Sequence, residues 1–177
     1  ADATMAASSH NTQPWRFEIG EKRIRIVPDF TRRCPMVDPD DHHLYVSLGC
    51  AAENMVLAAA SKGWNVAVEV RSSGNAHSVD VMLQPATPVA SPLADAIPRR
   101  QCTRAVFDGR QASTDDLVLL ERAASGKGVT PMMITDKNRL DTVAELVAQG
   151  NTVQLRDPCW RKELIAWIRF NEREARR

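Results

Sequence analysis

An α+β fold, with a sheet flanked by helices and one central, buried helix, is the architecture this sequence predicts. Three patterns point to it. Short runs in the first half alternate apolar and polar residues, as half-buried strands do. A long stretch rich in alanine and leucine interrupts them with helical spacing. The second half carries capped helical segments with little strand signal.

In chain order, Trp15 to Ile19 and Arg23 to Val27 are β-prone runs split by Gly20-Glu21, and Ile24 and Ile26 alternate with arginines. Residues 28 to 43 form a polar connection with three prolines. A helix is expected from about His43 to Lys62, with Leu48, Ala52, Met55 and Ala59 on one face and Gly63 at its end. Its small residues permit close helix approach. Val66 to Val70 and Val79 to Leu83 read as strands joined by Ser72-Ser73-Gly74-Asn75. The linker-like stretch Pro85 to Pro92 divides the chain into blocks 1–85 and 92–177. Beyond it come a short helix from Leu93 to Ile97 and a helix to Ala124 with Ser113 as N-cap. Thr130 to Thr135 reads as a buried strand, Lys137 to Ala148 as a helix, and Asp157-Pro158 opens a last helix with Trp160, Leu164, Trp167 and Ile168 inward.

Bulk composition excludes several classes of partner. The net charge is +1, from 23 basic and 22 acidic side chains, so no long-range field draws nucleic acid or an anionic membrane. The four cysteines stand far apart, without a CxxC pair or zinc spacing, which suits a reducing, cytoplasmic setting. Tyr45 to Ala60 is the longest apolar stretch, yet Glu53 and Asn54 at its middle mark it as a buried helix rather than a membrane span. No signal peptide is legible, although the chain opens on Ala1 and leaves an upstream segment open.

Three constellations offer chemistry. Ala7 to Phe17 is a polar loop of hydroxyls and amides ending at Pro14, able to direct donors and acceptors at a flat heteroaromatic ligand, or simply a capped helix end with an ordinary loop. Arg99-Arg100-Gln101-Cys102-Thr103-Arg104 presents guanidinium forks that match phosphate oxygens, or else a solvated charged loop. Asp38-Pro39-Asp40-Asp41-His42-His43 has metal-ligating residue types but no ligand spacing, and its carboxylates lie where a helix start favours negative charge; no metal is expected.

The first two constellations together carry a resemblance. Ser8-Ser9-His10-Asn11-Thr12-Gln13-Pro14-Trp15-Arg16-Phe17 resembles the S-x-x-N-x-Q-P-W-x-F segment of nitroreductases, and Gly49-Cys50-Ala51-Ala52-Glu53-Asn54-Met55-Val56-Leu57-Ala58 is similar to their G-x-A-x-x-N-x-x-L-A helix. Arg100-Gln101-Cys102-Thr103-Arg104 with Phe107 looks like the R-x-S-x-R…F start of such a domain, followed in family order by the Ser113 helix and Ile134-Thr135-Asp136. In single-repeat members the arginine motif comes first; here it follows by about ninety residues. That order resembles the doubled, Acg-type bacterial subfamily. The resemblance thus implies two nitroreductase-like repeats in one chain, with 1–85 the later part of the first and 92–177 the earlier, incomplete part of the second.

The resemblance further implies FMN held between repeats, its phosphate met by Arg100, Cys102, Thr103 and Arg104 and its ring or ribityl chain by Ser8, Ser9, Asn11 and Gln13. Cys102 stands where the family has serine, replacing a strong donor by a weak one. The implied function is an FMN-dependent oxidoreductase, of nitroreductase type, passing reducing equivalents from NAD(P)H to nitroaromatic or quinone-like acceptors. No protein acid, base or nucleophile is assigned, because the flavin carries the redox chemistry. Gly-rich dinucleotide fingerprints are absent, so nicotinamide is expected as a visiting substrate. The alternative is a catalytically weak protein that stores or sequesters flavin. The incomplete second repeat also leads to the expectation that the remainder of that repeat, or a second chain piece, completes the site, because Leu117, Leu120, Leu146, Trp160 and Leu164 otherwise lack partner surface.

Overall fold

The computed structural model describes residues 1–74, 76–103, 105–126 and 128–171. The first half folds as its periodicity requires. Strands β1 (Trp15–Ile19) and β2 (Arg23–Pro28) form the expected hairpin, while β3 (Trp64–Ser73) and β4 (Ala76–Pro85) extend beyond the apolar alternation that announces them. All pairings are antiparallel, and the sheet order is β1-β2-β4-β3.

Register separates the residues into two faces. Phe17 lies opposite Ile26, Ile26 opposite Val79, and Val79 opposite Val70; in the next row Ile24 faces Val81 and Val81 faces Val68. Because side chains alternate along a strand, these rows share one face. Helix α1 (His42–Ser61) packs on it. The resulting core contains Ala6, Trp15, Ile26, Leu44, Leu48, Ala51, Ala52 and Val81. Full burial of a leucine- or valine-sized side chain contributes roughly 1.5–3 kcal/mol, so this cluster dominates the stability of the sheet.

Helix α1 is buried along one side only. Its inward residues are Leu44, Ser47, Leu48, Ala51, Ala52 and Ala58, whereas Val46, Gly49 and Glu53 are exposed. By length and apolar composition it could cross a membrane, but it lies against β2, β3 and β4. It ends at Gly63, whose φ of +83° is the left-handed conformation of a helix stop. An added Cβ there would meet the Ala86 carbonyl oxygen at 2.9 Å, so this position needs glycine for space as well as for conformation.

The other face of the sheet is ionic. Asp80 is 2% exposed and accepts hydrogen bonds from Arg25 Nε (2.6 Å) and Nη2 (3.0 Å). Arg71 Nε at 3.6 Å and Arg23 Nη1 at 3.9 Å add positive charge, and Arg71 also pairs with Glu69. The Arg25 hydrogen bonds therefore hold the Asp80 carboxyl below the ordinary carboxylate range, against the opposing effect of burial.

Two compact units are present: Ala1–Gln101 with the chain from Pro158 onward, and Cys102–Asp157. To the first also belong α2 (Pro92–Ala96) and α5 (Pro158–Trp167). In the second, α3 (Thr114–Ala124) begins as anticipated, with Ser113 Oγ accepting from Asp116 N at 3.1 Å. Helix α4 (Lys137–Arg156) is capped by Asp136 and continues through Gly150 instead of stopping near Ala148. Neither α3 nor α4 has a buried residue.

Several expectations are corrected. The doubled, Acg-type architecture of two repeats in one chain is overturned: the described residues form one four-stranded sheet, and those after Pro92 form helices and turns. Thr130 to Thr135 is not a strand. Among the described residues its unit has no strand to pair with, only the isolated Gly126–Val129 bridge, and Met132 is 81% exposed. Without a ladder, β-propensity alone does not make a strand. The expectation that a second piece of polypeptide must complete the structure is overturned as well. The sheet and α1 close their core with residues of this chain alone.

Candidate functional site

Among the described residues, the polar loop at residues 8–13 has the most unusual backbone. A short 3-10 turn, Ser9–Asn11, interrupts it, and three non-glycine residues in four adopt positive φ: His10 (+48°), Asn11 (+55°) and Gln13 (+51°). Asn11 is tolerated in the left-handed region, whereas each of the others costs on the order of 1–2 kcal/mol. Such strain persists only where surrounding structure over-determines it, and it collects at ligand sites.

The anchors are visible. Ser8 Oγ accepts from Gln13 N at 3.0 Å and closes the loop. Thr12 is 1% exposed, and its carbonyl accepts from Arg32 Nη1 at 2.6 Å. Gln13 O accepts from Trp15 N at 2.9 Å across the buried Pro14, whose own carbonyl accepts from Asp29 N at 3.0 Å. These contacts hold the backbone and spend few side chains. Among the described residues, the Ser9 hydroxyl and the side-chain amides of Asn11 and Gln13 have no protein partner, and His10 Nε2 is buried without one.

Arg32 and His10 were not assigned roles from the sequence. Arg32 sits in a polar connection whose spacing gives no hint that it reaches Thr12. His10 lies inside the motif but outside its recurring positions.

The Asp38 segment is a helix start. Asp38 accepts from the backbone N–H of His43 (3.0 Å) and Leu44 (2.9 Å), and His43 Nδ1 lies 3.1 Å from its Oδ1. Burial pushes this carboxyl up, but the two backbone donors and the His43 ring outweigh it and bring it below the usual range. Cys34 nearby is 4% exposed, and burial, followed by the charges of Glu163 and Asp38, pushes its thiol up to about 11. It is therefore a thiol, not a thiolate, at neutral pH.

The other assigned residues are placed unequally. Arg100 Nη2 donates to Met5 O at 3.0 Å, which ties the start of the arginine motif to the segment leading into the loop. Cys102 and Thr103 are exposed and belong to the second unit. Arg104 lies outside the described residues. From the similar helix, Asn54 Nδ2 donates to Asp2 O at 3.2 Å and pins the same N-terminal segment.

Helix α5 packs against the Ser9–Asn11 turn. It is fastened by Glu163, which accepts from Met36 N (2.9 Å, Oε2) and Val37 N (3.2 Å, Oε1). The cavity lined by Ser9, Thr12, Arg32, Cys34 and Asp38 measures only about 10 Å³. A larger apolar cavity, about 320 Å³, lies elsewhere between Tyr45, Leu48, Gly49 and the strand residues Val70 and Val79.

No family model matches the chain. It is similar to two Mycobacterium tuberculosis proteins, from strains CDC 1551 / Oshkosh and ATCC 25618 / H37Rv, whose names describe them as candidate NAD(P)H nitroreductases. Each is 32% identical over 171 residues, covering 93% of this chain and 48% of the relative. The chain thus spans about half the length of the curated relatives it matches.

Proposed function

We propose that this chain binds FMN and serves an oxidoreductase that passes reducing equivalents from NAD(P)H to nitroaromatic or quinone-like acceptors. The observation that carries the proposal is the strained loop at 8–13, found in a chain similar along 93% of its length to candidate NAD(P)H nitroreductases. Its donor set fits the group. Flavin carbonyls and ring nitrogens accept and donate in one plane, and the unpaired amides of Asn11 and Gln13 can do either, as can the Ser9 hydroxyl. Bound FMN would supply hydride chemistry.

The protein's own part is positional. Thr12, Pro14 and Arg32 hold the loop backbone so that Ser9, Asn11 and Gln13 meet the ligand without further loss of entropy. Arg100, Cys102, Thr103 and Arg104 are the proposed phosphate-binding segment, in which guanidinium forks match phosphate oxygens. The absorption spectrum of the purified protein after FMN titration tests the cofactor, and NAD(P)H oxidation with a nitroaromatic acceptor tests the activity. Flavin bands with turnover support the proposal. Flavin bands without turnover favour a storage role, and absence of binding overturns both.

A further inference from the structure

We infer that the outer edge of β3 is a docking surface for a second copy of this chain, paired antiparallel about a twofold axis at Val70. Among the described residues β3 ends the sheet, and its residues from Trp64 to Ser73 pair with β4 in unbroken register on the other side. A sheet edge presents a row of backbone N–H and C=O groups that another strand can pair. Proteins blunt such edges by shortening them, or with a proline, a bulge or an inward-pointing charge, and β3 has none of these. The opposite edge strand, β1, is half as long. Along β3 the core-facing row is progressively uncovered: Val66 is half-buried, Val68 is 47% exposed and Val70 is 70% exposed. The apolar cavity between Tyr45, Leu48, Gly49 and Val79 borders the same edge through Val70. Apolar surface that α1 leaves open therefore lies beside an edge ready to be paired.

Charge selects both the occupant and the register. Glu69 and Arg71 flank Val70 on the ionic face, pair with each other and are exposed. Residues directly opposite in an antiparallel pair lie on one face and interact. A twofold centre at Val70 sets Glu69 against Arg71 of the second copy, Arg71 against its Glu69, and the two Val70 side chains against each other. A centre at Glu69 or at Arg71 would oppose like charges, which is destabilising. A centre at Val68 would set Glu69 against Ala67 and Arg71 against Asn65, with no charged pair. The run Glu69-Val70-Arg71 is thus complementary to itself when reversed, and self-complementarity is what a twofold interface requires. The core of the sheet and α1 closes without the second copy, so the pairing adds to a folded monomer.

Sedimentation equilibrium of the whole chain, with Glu69→Arg, Arg71→Glu and the double variant, tests this. The parent is expected to dimerise reversibly. Each single reversal opposes like charges twice across the axis and should raise the dimer dissociation constant about tenfold or more, whereas the double variant reinstates both pairs with signs exchanged and should return to within about threefold of the parent. Asp80 keeps its Arg25 hydrogen bonds in all three, and circular dichroism melts verify that each is folded. Amide exchange of the parent at low and high protein concentration reads the same edge without any substitution: β3 should slow on concentration while β1 stays unchanged. A parent that remains monomeric overturns the inference. So does a dimer indifferent to the single reversals, a folded double variant that associates no better than they do, or β3 exchange that ignores concentration.

Discussion

Replacing Gln13 by glycine and by alanine separates what this residue does for folding from what it does for ligand. Gln13 adopts φ +51°, a conformation that costs a non-glycine residue roughly 1–2 kcal/mol. Glycine removes that cost but loses about 0.5–1 kcal/mol more chain entropy on folding, which leaves a net gain on the order of 0.5–1 kcal/mol. The two local hydrogen bonds, Gln13 N to Ser8 Oγ and Trp15 N to Gln13 O, are made by backbone atoms of residue 13 and survive the change. Gln13→Gly should therefore melt above the parent by about 1–4 °C, while Gln13→Ala, which keeps the conformational cost, should not. Both lose the amide, so both should bind FMN about twofold to tenfold more weakly, the equivalent of one ordinary hydrogen bond. Circular dichroism melts and flavin titration give the two readouts. A glycine variant that melts at or below the alanine variant would refute the idea that this loop stores strain, and undiminished FMN binding in both would remove Gln13 from the site.

Three further outcomes are expected. Asp80→Asn should cost about 1.5–3 kcal/mol at neutral pH, near the lower end because Arg23, Arg25 and Arg71 are exposed enough to rehydrate. Since the folded Asp80 carboxyl titrates below its ordinary 3.8, its contribution is complete above that value and is lost as pH falls through the folded one. Acid unfolding of the asparagine variant should be correspondingly shallower, as denaturant melts across pH would show. Asp38→Ala removes the acceptor for His43 N and Leu44 N at the start of α1 and should cost about 0.5–2 kcal/mol, read by chemical denaturation. Arg100→Ala should weaken FMN binding by about 1.5–3 kcal/mol if the guanidinium meets phosphate, and flavin retention equal to the parent's would dismiss that role.

Local chemistry made a large part of the fold legible in advance. The period-2 runs Trp15 to Ile19 and Val79 to Leu83 became strands, Gly63 ended α1, and Ser113 capped α3, because each signal acts within one turn or one pleat of itself. The helix start before His43 is legible for the same reason, with Asp38 accepting from the backbone N–H of His43 and Leu44. Thr130 to Thr135 shows the limit, since a strand exists only where another edge completes its hydrogen bonds.

Sequence by itself determined the antiparallel hairpins, the apolar stripe of α1 and the polar character of the 8–13 loop. Tertiary structure decided the rest. It alone joined Arg25 to Asp80 across 55 residues and Glu163 to Met36 across 127, and it alone turned His10 and Gln13 into the left-handed region. It also decided the number of sheets, which the order of motifs had misjudged as belonging to a doubled fold. Propensity, periodicity and capping are properties of neighbours in the chain. Ion-pair geometry, backbone strain and sheet count depend on which distant segments meet, and that is set by the packing of the core as a whole.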